Sequence, residues 1–358
     1  MSAEYIRLPG LVDPHVHLRE PGATHKEDFE TGTMAAIAGG FTTVLDMPNN
    51  PEPTISPESL QRKITLAGNR VYCDIGFHFG ATSKGVEYFE KIKDQVFGLK
   101  IYMNHTTGTL LMEDKKELNS VFAAWPREKP IIVHAEGETL VTAIALAKLN
   151  NRKLHVAHIA TKEDVEMVRE AKEEGMAITC EVTLHHLFFT EADAQALGPF
   201  GVMKPTLKTE MDRLALWENL KLGVIDMIAT DHAPHTREEK LSEKPPFGVP
   251  GLETSLPLLL TAVAEDKLTL DQVVNLTSTN PKKIFGIRGL AETFTEVDLK
   301  ESYVIDAKNL KTKCAWTPFE GKRVTGRISR VVLRGRTVYD GEKAIGEPMG
   351  NIVFPCPI

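Results

Sequence analysis

Two histidines one residue apart, His15 and His17, are the first side chains in this sequence that could bind a metal ion together. Residues i and i+2 of a β-strand point to the same face of the sheet, so the two imidazole rings would face one ion. A pair of this kind also occurs as polar filler near a loop. It therefore predicts a metal site only if further ligands occupy equivalent positions elsewhere in the fold.

Four more side chains lie at such positions, at or near the ends of predicted strands: Lys100, His134, His158 and Asp231. Imidazole nitrogen atoms suit Zn²⁺, and a carboxylate can complete the coordination shell while leaving a position for water. Lys100 does not fit such a site as it stands, because a protonated ammonium is repelled by Zn²⁺ and cannot coordinate it. The set predicts a zinc site in which the charge of Lys100 must change.

Short β-rich apolar segments alternate with amphipathic helical segments eight times, which is typical of a (β/α)₈ barrel. The predicted strands lie around 11–17, 41–47, 72–80, 97–103, 130–135, 154–159, 177–183 and 224–231. Helices are predicted to begin after Ser56 and Thr161, which can act as N-caps, and to end at Gly39-Gly40 and Gly175. The active site of such a barrel lies at the C-terminal ends of its strands, where the six candidate ligands fall.

Beyond residue 288 the pattern changes to short apolar segments separated by Gly326, Gly335 and Gly341. This pattern indicates antiparallel strands, which the N-terminal segment Tyr5-Ile6-Arg7-Leu8 is predicted to join. We therefore predict an α/β protein of two parts. A metal-dependent (β/α)₈ barrel would span residues 9–287, and residues 1–8 with 288–358 would form a small β-rich appendage with a C-terminal tail.

Two further polar residues lie on the predicted barrel strands. His155 is three residues before His158, so its side chain should point to the opposite face of the strand and pack beneath a helix. Glu181 lies near the end of the seventh strand, where it could bind a metal ion or orient a residue that does. The sequence leaves both roles of Glu181 open.

Composition excludes several classes of function. The formal net charge is −7 and the isoelectric point is near 6.0, so no basic field attracts nucleic acid or an anionic membrane. The four cysteines are widely separated and form no C-x-x-C pair, which disfavours a disulfide framework or a thiolate zinc site. No signal peptide and no apolar run of about 18 residues is evident. We expect a soluble, cytoplasmic protein that binds neither nucleic acid nor membranes.

The motifs around the six candidate ligands resemble those of a known family. They are His15-x-His17, Arg19-Glu20-Pro21-Gly22, Gly98-Leu99-Lys100, Val133-His134-Ala135-Glu136, His158 and Asp231-His232-Ala233-Pro234-His235-Thr236. They resemble the dihydroorotases of the amidohydrolase superfamily, and most of all the dihydroorotase domain of the animal multifunctional pyrimidine-synthesis protein. That domain is also similar at Pro250-Gly251-Leu252-Glu253-Thr254 and Trp316-Thr317-Pro318-Phe319-Glu320-Gly321-Lys322. The resemblance covers nearly the whole chain.

The resemblance implies a centre of two Zn²⁺ ions bridged by a hydroxide and by Lys100, carbamylated to N6-carboxylysine. Carbamylation would remove the charge conflict, because it converts the ammonium into a carboxylate. One ion would be held by His15, His17, Asp231 and the carbamylated Lys100. The other would be held by the carbamylated Lys100, His134 and His158.

The reaction of this family is the reversible closure of N-carbamoyl-L-aspartate to L-dihydroorotate in de novo pyrimidine biosynthesis. In the hydrolytic direction hydroxide attacks the ring amide carbon, and Asp231 would be the catalytic acid and base. The resemblance implies that the substrate is bound by Arg19, Asn49, Lys204, His235, Phe247 and Gly248, the first of which can pair with its carboxylate. It also implies that a loop containing Thr106 and Thr107 closes over the substrate.

One departure and two alternatives qualify this prediction. Lys204 stands where close relatives of the animal type carry an arginine before Pro205, and lysine lacks the planar fork of arginine. A hydantoinase or allantoinase could use the same metal centre on another cyclic amide, although Arg19 favours an acidic substrate. A non-catalytic scaffold homologue would be expected to lack ligands, whereas all six positions are filled. The resemblance also implies a homodimer, and association or fusion with aspartate transcarbamoylase and carbamoyl-phosphate synthetase.

Overall fold

The strands occur where the alternating pattern predicts them in the computed structural model of the chain, which describes residues 5–356. They are β1 (Tyr5–Pro9), β2 (Leu11–Val16), β3 (Phe41–Asp46), β4 (Asp74–Phe77), β5 (Phe79–Gly80), β6 (Leu99–Tyr102), β7 (Ile131–His134), β8 (Leu154–Val156), β9 (Ile178–Thr183), β10 (Met227–Ala229), β11 (Phe294–Val304), β12 (Arg323–Leu333) and β13 (Arg336–Tyr339). Each of the eight predicted barrel strands is confirmed.

Parallel pairing arranges these strands as a barrel. One sheet has the order β2-β3-β4, and the other runs from β5 through β6, β7, β8 and β9 to β10. Only His78 separates β4 from β5, so the two form one interrupted strand. A parallel bridge between Val16 and His232 joins the two open edges. Eight strands therefore close on themselves, and the predicted barrel fold is confirmed.

Helices cover the outside of the barrel. The α-helices are α1 (Phe29–Ala38), α2 (Pro57–Ala67), α3 (Phe89–Ile92), α4 (Lys115–Ala124), α5 (Glu138–Asn150), α6 (Lys162–Glu173), α7 (Leu184–Phe188), α8 (Glu191–Leu197), α9 (Glu210–Lys221), α10 (Arg237–Lys240), α11 (Leu252–Ala264), α12 (Leu270–Val274) and α13 (Asn280–Phe285). A π-helical turn (Asn275–Thr279) connects the last two, and 3₁₀ turns occur at Lys84–Tyr88, Lys93–Gln95, Gly198–Gly201 and Ala307–Asn309. In the described chain no helix is long and apolar enough to cross a bilayer.

The predicted helix boundaries are confirmed where capping residues define them. Ser56 accepts a hydrogen bond from the N–H of Ser59, and Thr161 accepts one from the N–H of Asp164. Each such cap contributes about 1 kcal/mol to helix stability. Because the caps set where each helix begins, they also set the length of the loop that leaves the preceding strand.

An antiparallel sheet of order β1-β11-β12-β13 forms the appendage. Tyr5 pairs with Asp298 and Pro9 with Phe294, so the N-terminal segment joins this sheet as predicted. The segment near the C-terminus instead pairs with the barrel, where Ile75 exchanges backbone hydrogen bonds with Asn351 and Val353. Residues 1–4 and 357–358, which the predicted domain boundaries include, lie outside the described residues.

Candidate active site

His15, His17 and Asp231 converge where the barrel closes. One ligand atom from each lies within 4.8 Å of the others, and all three residues are buried. Oδ1 of Asp231 is 2.9 Å from Nε2 of His17 and 3.3 Å from Nε2 of His15. The bridge between Val16 and His232 brings them together, because it sets the end of β2 beside the segment that follows β10. The geometry matches a site for one metal ion.

Lys100, His134 and His158 form a second cluster on the adjacent strands β6, β7 and β8 or just beyond them. Nδ1 of His134 lies 2.9 Å from Nε2 of His158, and the ring centroid of His158 is 5.3 Å from that of His15. Among the described residues, no hydrogen-bond partner is present for Nζ of Lys100, Nε2 of His134 or Nδ1 of His158. Unpaired buried polar groups cost about 1–3 kcal/mol each, so such a concentration indicates a site for a bound group.

The protonation states of these residues fit a metal centre. Burial lowers the pKa of His134 to about 3 and that of His17 to about 4, so both rings are neutral at pH 7, the form that coordinates metals. Burial also lowers the pKa of Lys100 to about 8. Burial would raise the pKa of Asp231, but His15 and His17 outweigh it and lower the pKa. The buried imidazoles of the two clusters, together with the ionised carboxylate of Asp231, are a donor set that suits Zn²⁺.

Hydrogen bonds behind the first cluster fix the orientation of both rings. Nδ1 of His15 donates to Oε1 of Glu181, and Nδ1 of His17 lies 2.8 Å from Oδ1 of Asn49. Both imidazoles therefore present Nε2 to Asp231. Glu181 also accepts from the backbone N–H of His158 at 3.2 Å, so it supports ligands of both clusters. The structure places its carboxylate where it orients candidate ligands.

His155 contradicts the prediction that it packs beneath a helix. It pairs in register with Ile132 and Thr179 inside the barrel, and its Nε2 lies 3.0 Å from Oε2 of Glu181. The prediction was wrong because β8 ends at Val156 and His158 has a φ of +36°. The alternation of side chains stops at the end of the strand, so spacing from His158 does not give the face of His155.

Arg19 lines the cavity, and His235 lies directly behind it. Arg19 is 5% exposed, its Nε donates to the carbonyl of Pro234 at 2.9 Å, and its Nη2 lies 3.1 Å from Nε2 of His235. Burial lowers the pKa of Arg19 to about 10, which leaves it charged at neutral pH. A buried guanidinium held by a backbone carbonyl keeps donors available for an anionic ligand.

The remaining candidates line the same cavity, which has a volume of about 20 Å³. Its walls include His15, His17, Arg19, Asn49, Tyr102, Thr106, Thr107, His134, His158, Lys204, Asp231, Phe247 and Gly248. Gly248 has a φ of +130°, and a Cβ atom there would lie 2.7 Å from Cβ of Ala233. Glycine is therefore required at this wall. The structure brings together all the predicted metal-binding and substrate-binding residues except that Lys100 and His235 lie just behind the lining.

A loop after β6 covers the cavity. Nδ2 of Asn49 donates to the carbonyl of Thr107 at 2.9 Å, and the hydroxyl of Thr107 donates to the carbonyl of Phe247 at 3.3 Å. Thr106 and Thr107 both face the cavity. A volume of this size holds about one water molecule, so a larger ligand can enter only if the loop moves.

Tyr102 is a candidate that the sequence interpretation missed. It is 3% exposed, lines the cavity, and its hydroxyl has no hydrogen-bond partner in the described structure. Nζ of Lys100 lies 5.2 Å from its ring centroid. The spacing of Lys100 and Tyr102, two residues apart on one strand, could have identified it.

Comparison with known proteins gives a consistent result. A family model described as "Amidohydrolase family" matches residues 6–338. "Multifunctional protein CAD" of Squalus acanthias is 47% identical over 362 residues, which are 100% of this chain and 16% of that protein. "Dihydroorotase" of Pyrococcus furiosus is 37% identical over 96% of this chain and 84% of that protein. The structure of an L-hydantoinase (dihydropyrimidinase) from Arthrobacter aurescens superimposes with a TM-score of 0.92 at 26% identity, covering 98% of this chain and 89% of that one.

Proposed function

The chain belongs to the amidohydrolase family, and from this premise we propose that it is a dihydroorotase. It would interconvert N-carbamoyl-L-aspartate and L-dihydroorotate, as the similarity to dihydroorotases along nearly the whole chain supports. The observation that carries the proposal is the position of Arg19. Its buried guanidinium borders the same cavity as both clusters of candidate metal ligands, so an acidic ring would be held with its amide toward the metals.

We infer that two Zn²⁺ ions bind here. His15, His17 and Asp231 would hold one, His134 and His158 the other, and a carbamylated Lys100 both. When bound, the ions would lower the pKa of a water molecule and polarise the amide carbonyl. Carbamylation forms a bond between Nζ of Lys100 and the carbon of CO₂ with release of a proton. The unpaired Nζ, with its lowered pKa, supports this modification.

Asp231 would transfer the proton in the reaction. In the hydrolytic direction a water oxygen bonds to the ring amide carbon, and the carboxylate of Asp231 takes the proton that the water loses. The C–N bond then breaks, and Asp231 returns the proton to the departing nitrogen. Oδ1 of Asp231 lies 3.3 Å from Nε2 of His15 and 2.9 Å from Nε2 of His17, so the carboxylate would stand beside the nitrogen atoms that bind the metal.

Arg19 would bind the carboxylate of the substrate, with His235 and Asn49 beside it. The side-chain amide of Asn49 hydrogen-bonds both to His17 and to the carbonyl of Thr107 in the loop. A substrate bound to Asn49 would therefore affect the position of the loop. Lys204 would add a second cation: its Nζ lies 5.6 Å from the ring centroid of Phe247 at the cavity wall. Loop closure over the substrate would exclude water.

A hydantoinase is the second candidate, because the L-hydantoinase shares the fold. The buried charge of Arg19 favours dihydroorotate over a neutral hydantoin, since a neutral ring would leave the guanidinium unpaired. A non-catalytic scaffold is disfavoured because all six candidate ligand positions are filled and brought together. Homodimerisation, a cytoplasmic location and association or fusion with aspartate transcarbamoylase and carbamoyl-phosphate synthetase remain proposals.

The decisive experiment compares dihydroorotate with unsubstituted dihydrouracil and hydantoin as substrates of the zinc-loaded protein. We expect hydrolysis of dihydroorotate only, two zinc ions per chain, and a mass increase of 44 Da, the mass of CO₂, under native conditions. Lys100→Ala should lose activity and retain fewer ions. Faster turnover of hydantoin than of dihydroorotate, or full activity of Lys100→Ala, would refute the assignment.

A further inference from the structure

A fully buried ammonium lies beside the wall of the cavity that carries Phe247 and Gly248. Lys240, the last residue of α10, has a relative exposure of 0%. Its Nζ donates to the carbonyls of Val202 at 2.8 Å, Pro246 at 2.9 Å and Gly248 at 3.1 Å. All three donors of the ammonium are therefore used, and each bond goes to a neutral carbonyl rather than to a carboxylate.

The three carbonyls belong to two segments that are separate in sequence but meet at the cavity. Val202 lies two residues before Lys204, whereas Pro246 and Gly248 flank Phe247. A direct backbone contact between the segments, from the N–H of Gly248 to the carbonyl of Val202, measures 3.2 Å and is long for such a bond. The ammonium therefore adds three hydrogen bonds to this contact and to the apolar packing of Met203 and Val249 in one cluster.

Lys240 is also linked to His235. The two residues are five apart: His235 precedes Thr236, the N-cap of α10, and Lys240 ends the helix. Nζ of Lys240 lies 5.6 Å from the ring centroid of Trp316, and Nε1 of Trp316 donates to the carbonyl of His235 at 2.7 Å. Three segments that carry candidate substrate-binding residues thus meet around one charge.

A buried charge is a costly way to fill this space. Removing an ammonium from water has a large desolvation penalty, and an apolar side chain of the same volume is often tolerated as well or better. An apolar side chain cannot, however, satisfy three carbonyls that point at one place. A cation with three donors can, and it holds them at fixed distances.

We propose that Lys240 is a positioning residue that sets the substrate-side wall of the active site. By holding the two segments together it fixes Lys204, Phe247 and Gly248 relative to Arg19 and His235, and so determines affinity for the acidic substrate. It does not touch the metal ligands, so metal binding is independent of it. The role as stated rests on the proposed dihydroorotase function.

The first test replaces Lys240 by methionine, which keeps most of the volume and removes the charge. We expect KM for dihydroorotate to rise about tenfold or more, as misplacement of a binding wall by a fraction of an ångström implies. kcat should fall less than KM rises, and zinc content should equal that of the wild type. Lys129→Met is the matched control. Lys129 is also buried and donates to a backbone carbonyl, that of Val96 at 3.0 Å. It lies away from the cavity, so the KM of Lys129→Met for dihydroorotate should equal that of the wild type.

Chemical rescue separates the charge from simple packing. Lys240→Ala removes everything beyond Cβ, which corresponds in size and charge to n-propylammonium. Added n-propylammonium can therefore occupy the vacated space and donate to the same carbonyls. It should lower the raised KM of Lys240→Ala and leave that of Lys240→Met unchanged, because methionine fills the space. Should Lys240→Met fail to fold by circular dichroism, Lys240→Gln, which keeps two N–H donors, replaces it.

Wild-type activity tests the proposed function, whereas the KM values of the variants test the role of Lys240. Absence of dihydroorotate hydrolysis by the wild type would refute the function itself, whatever the variants do. An active wild type together with an unchanged KM in Lys240→Met or Lys240→Gln would overturn the role of Lys240. A raised KM that n-propylammonium does not lower in Lys240→Ala would also overturn it, since packing alone would then explain the effect.

Discussion

Nδ1 of His15 donates a hydrogen bond to the carboxylate of Glu181, and this contact turns Nε2 of the same ring toward Asp231. A carboxylate behind a metal-binding histidine fixes its tautomer and raises its basicity. His155 holds the other oxygen of Glu181 at 3.0 Å. The orientation of a candidate ligand therefore depends on two residues that lie behind it.

Glu181→Gln should weaken zinc binding about 10- to 100-fold, because an amide oxygen is a poorer acceptor for His15 and leaves a carboxamide N–H beside His155. Zinc retained after dialysis against graded chelator concentrations measures the effect. Glu170→Gln, at an exposed position on α6, is the control and should retain zinc normally. Equal retention by both variants would show that Glu181 does not support the site.

Tyr102→Phe should lower kcat for dihydroorotate roughly tenfold or more while leaving zinc content unchanged, the size expected for loss of one donor to a developing negative charge. The reason is that its hydroxyl is buried at the cavity and has no hydrogen-bond partner among residues 5–356, so it is available to the substrate carbonyl. Steady-state kinetics with metal analysis provide the test. Tyr88→Phe, outside the cavity, should behave as wild type; the same result for Tyr102→Phe would exclude the role.

Replacing Thr106 and Thr107 by alanine together should lower turnover while zinc content stays normal. The two side chains face the cavity, and the hydroxyl of Thr107 reaches the carbonyl of Phe247, so the variant loses contacts that hold the loop closed. Thr142→Ala on the outer side of α5 serves as the control. Wild-type kinetics in the double variant would eliminate the lid.

Lys63→Met should destabilise the protein by about 3–5 kcal/mol, because it leaves a buried carboxylate unpaired. Nζ of Lys63 lies 2.6 Å from Oδ2 of Asp46, and both side chains are fully buried. Urea unfolding of the metal-free protein gives the free energy. Lys93→Met breaks an exposed pair with Glu90 and should lower stability far less, because solvent screens the pair. A similar cost for both variants would contradict the reasoning.

Asp74 should make stability depend on pH. Burial raises its pKa from 3.8 to about 6, although the N–H of Asn351 and the charge of Arg334 lower it. Between these values the folded chain binds more protons than the unfolded chain, so the contribution of Asp74 to the free energy of unfolding falls as pH rises. The loss is at most about 3 kcal/mol, since one pKa unit corresponds to about 1.4 kcal/mol.

Asp74→Asn cannot ionise and should lose this dependence. The measurement is the difference in unfolding free energy between wild type and Asp74→Asn, at equal metal content, from pH 4 to pH 6. As pH rises, the unfolding free energy of Asp74→Asn should increase relative to that of the wild type. A difference that is constant across this range would show that Asp74 ionises in the folded protein as easily as in the unfolded chain.

The barrel could be predicted from sequence because its signals are local. Strands such as β3 and β7 are apolar on both faces, and Ser56 and Thr161 cap the helices that follow. The strand β11 was not identified individually, because the half around Lys300–Ser302 is charged and exposed and lacks an alternating pattern. Its place in the sheet comes from pairing with β1 and β12, which are distant in sequence.

The candidate ligands could be predicted because strand ends of a barrel meet, but their supports could not. The face of His155 depends on where β8 ends, and the partners of Lys240 are 38, 6 and 8 residues away. Such contacts follow from how loops pack after the barrel closes. The sequence therefore identifies the residues that do chemistry more readily than those that hold them in place.

The small volume of the cavity has a consequence for the rate of turnover. Because about 20 Å³ cannot admit a six-membered ring, every cycle would need the loop at Thr106 and Thr107 to open twice, once for entry and once for exit. The same gate would serve ring closure and ring opening. Its opening rate would then be a common upper limit on both directions, however fast the bond-making steps become.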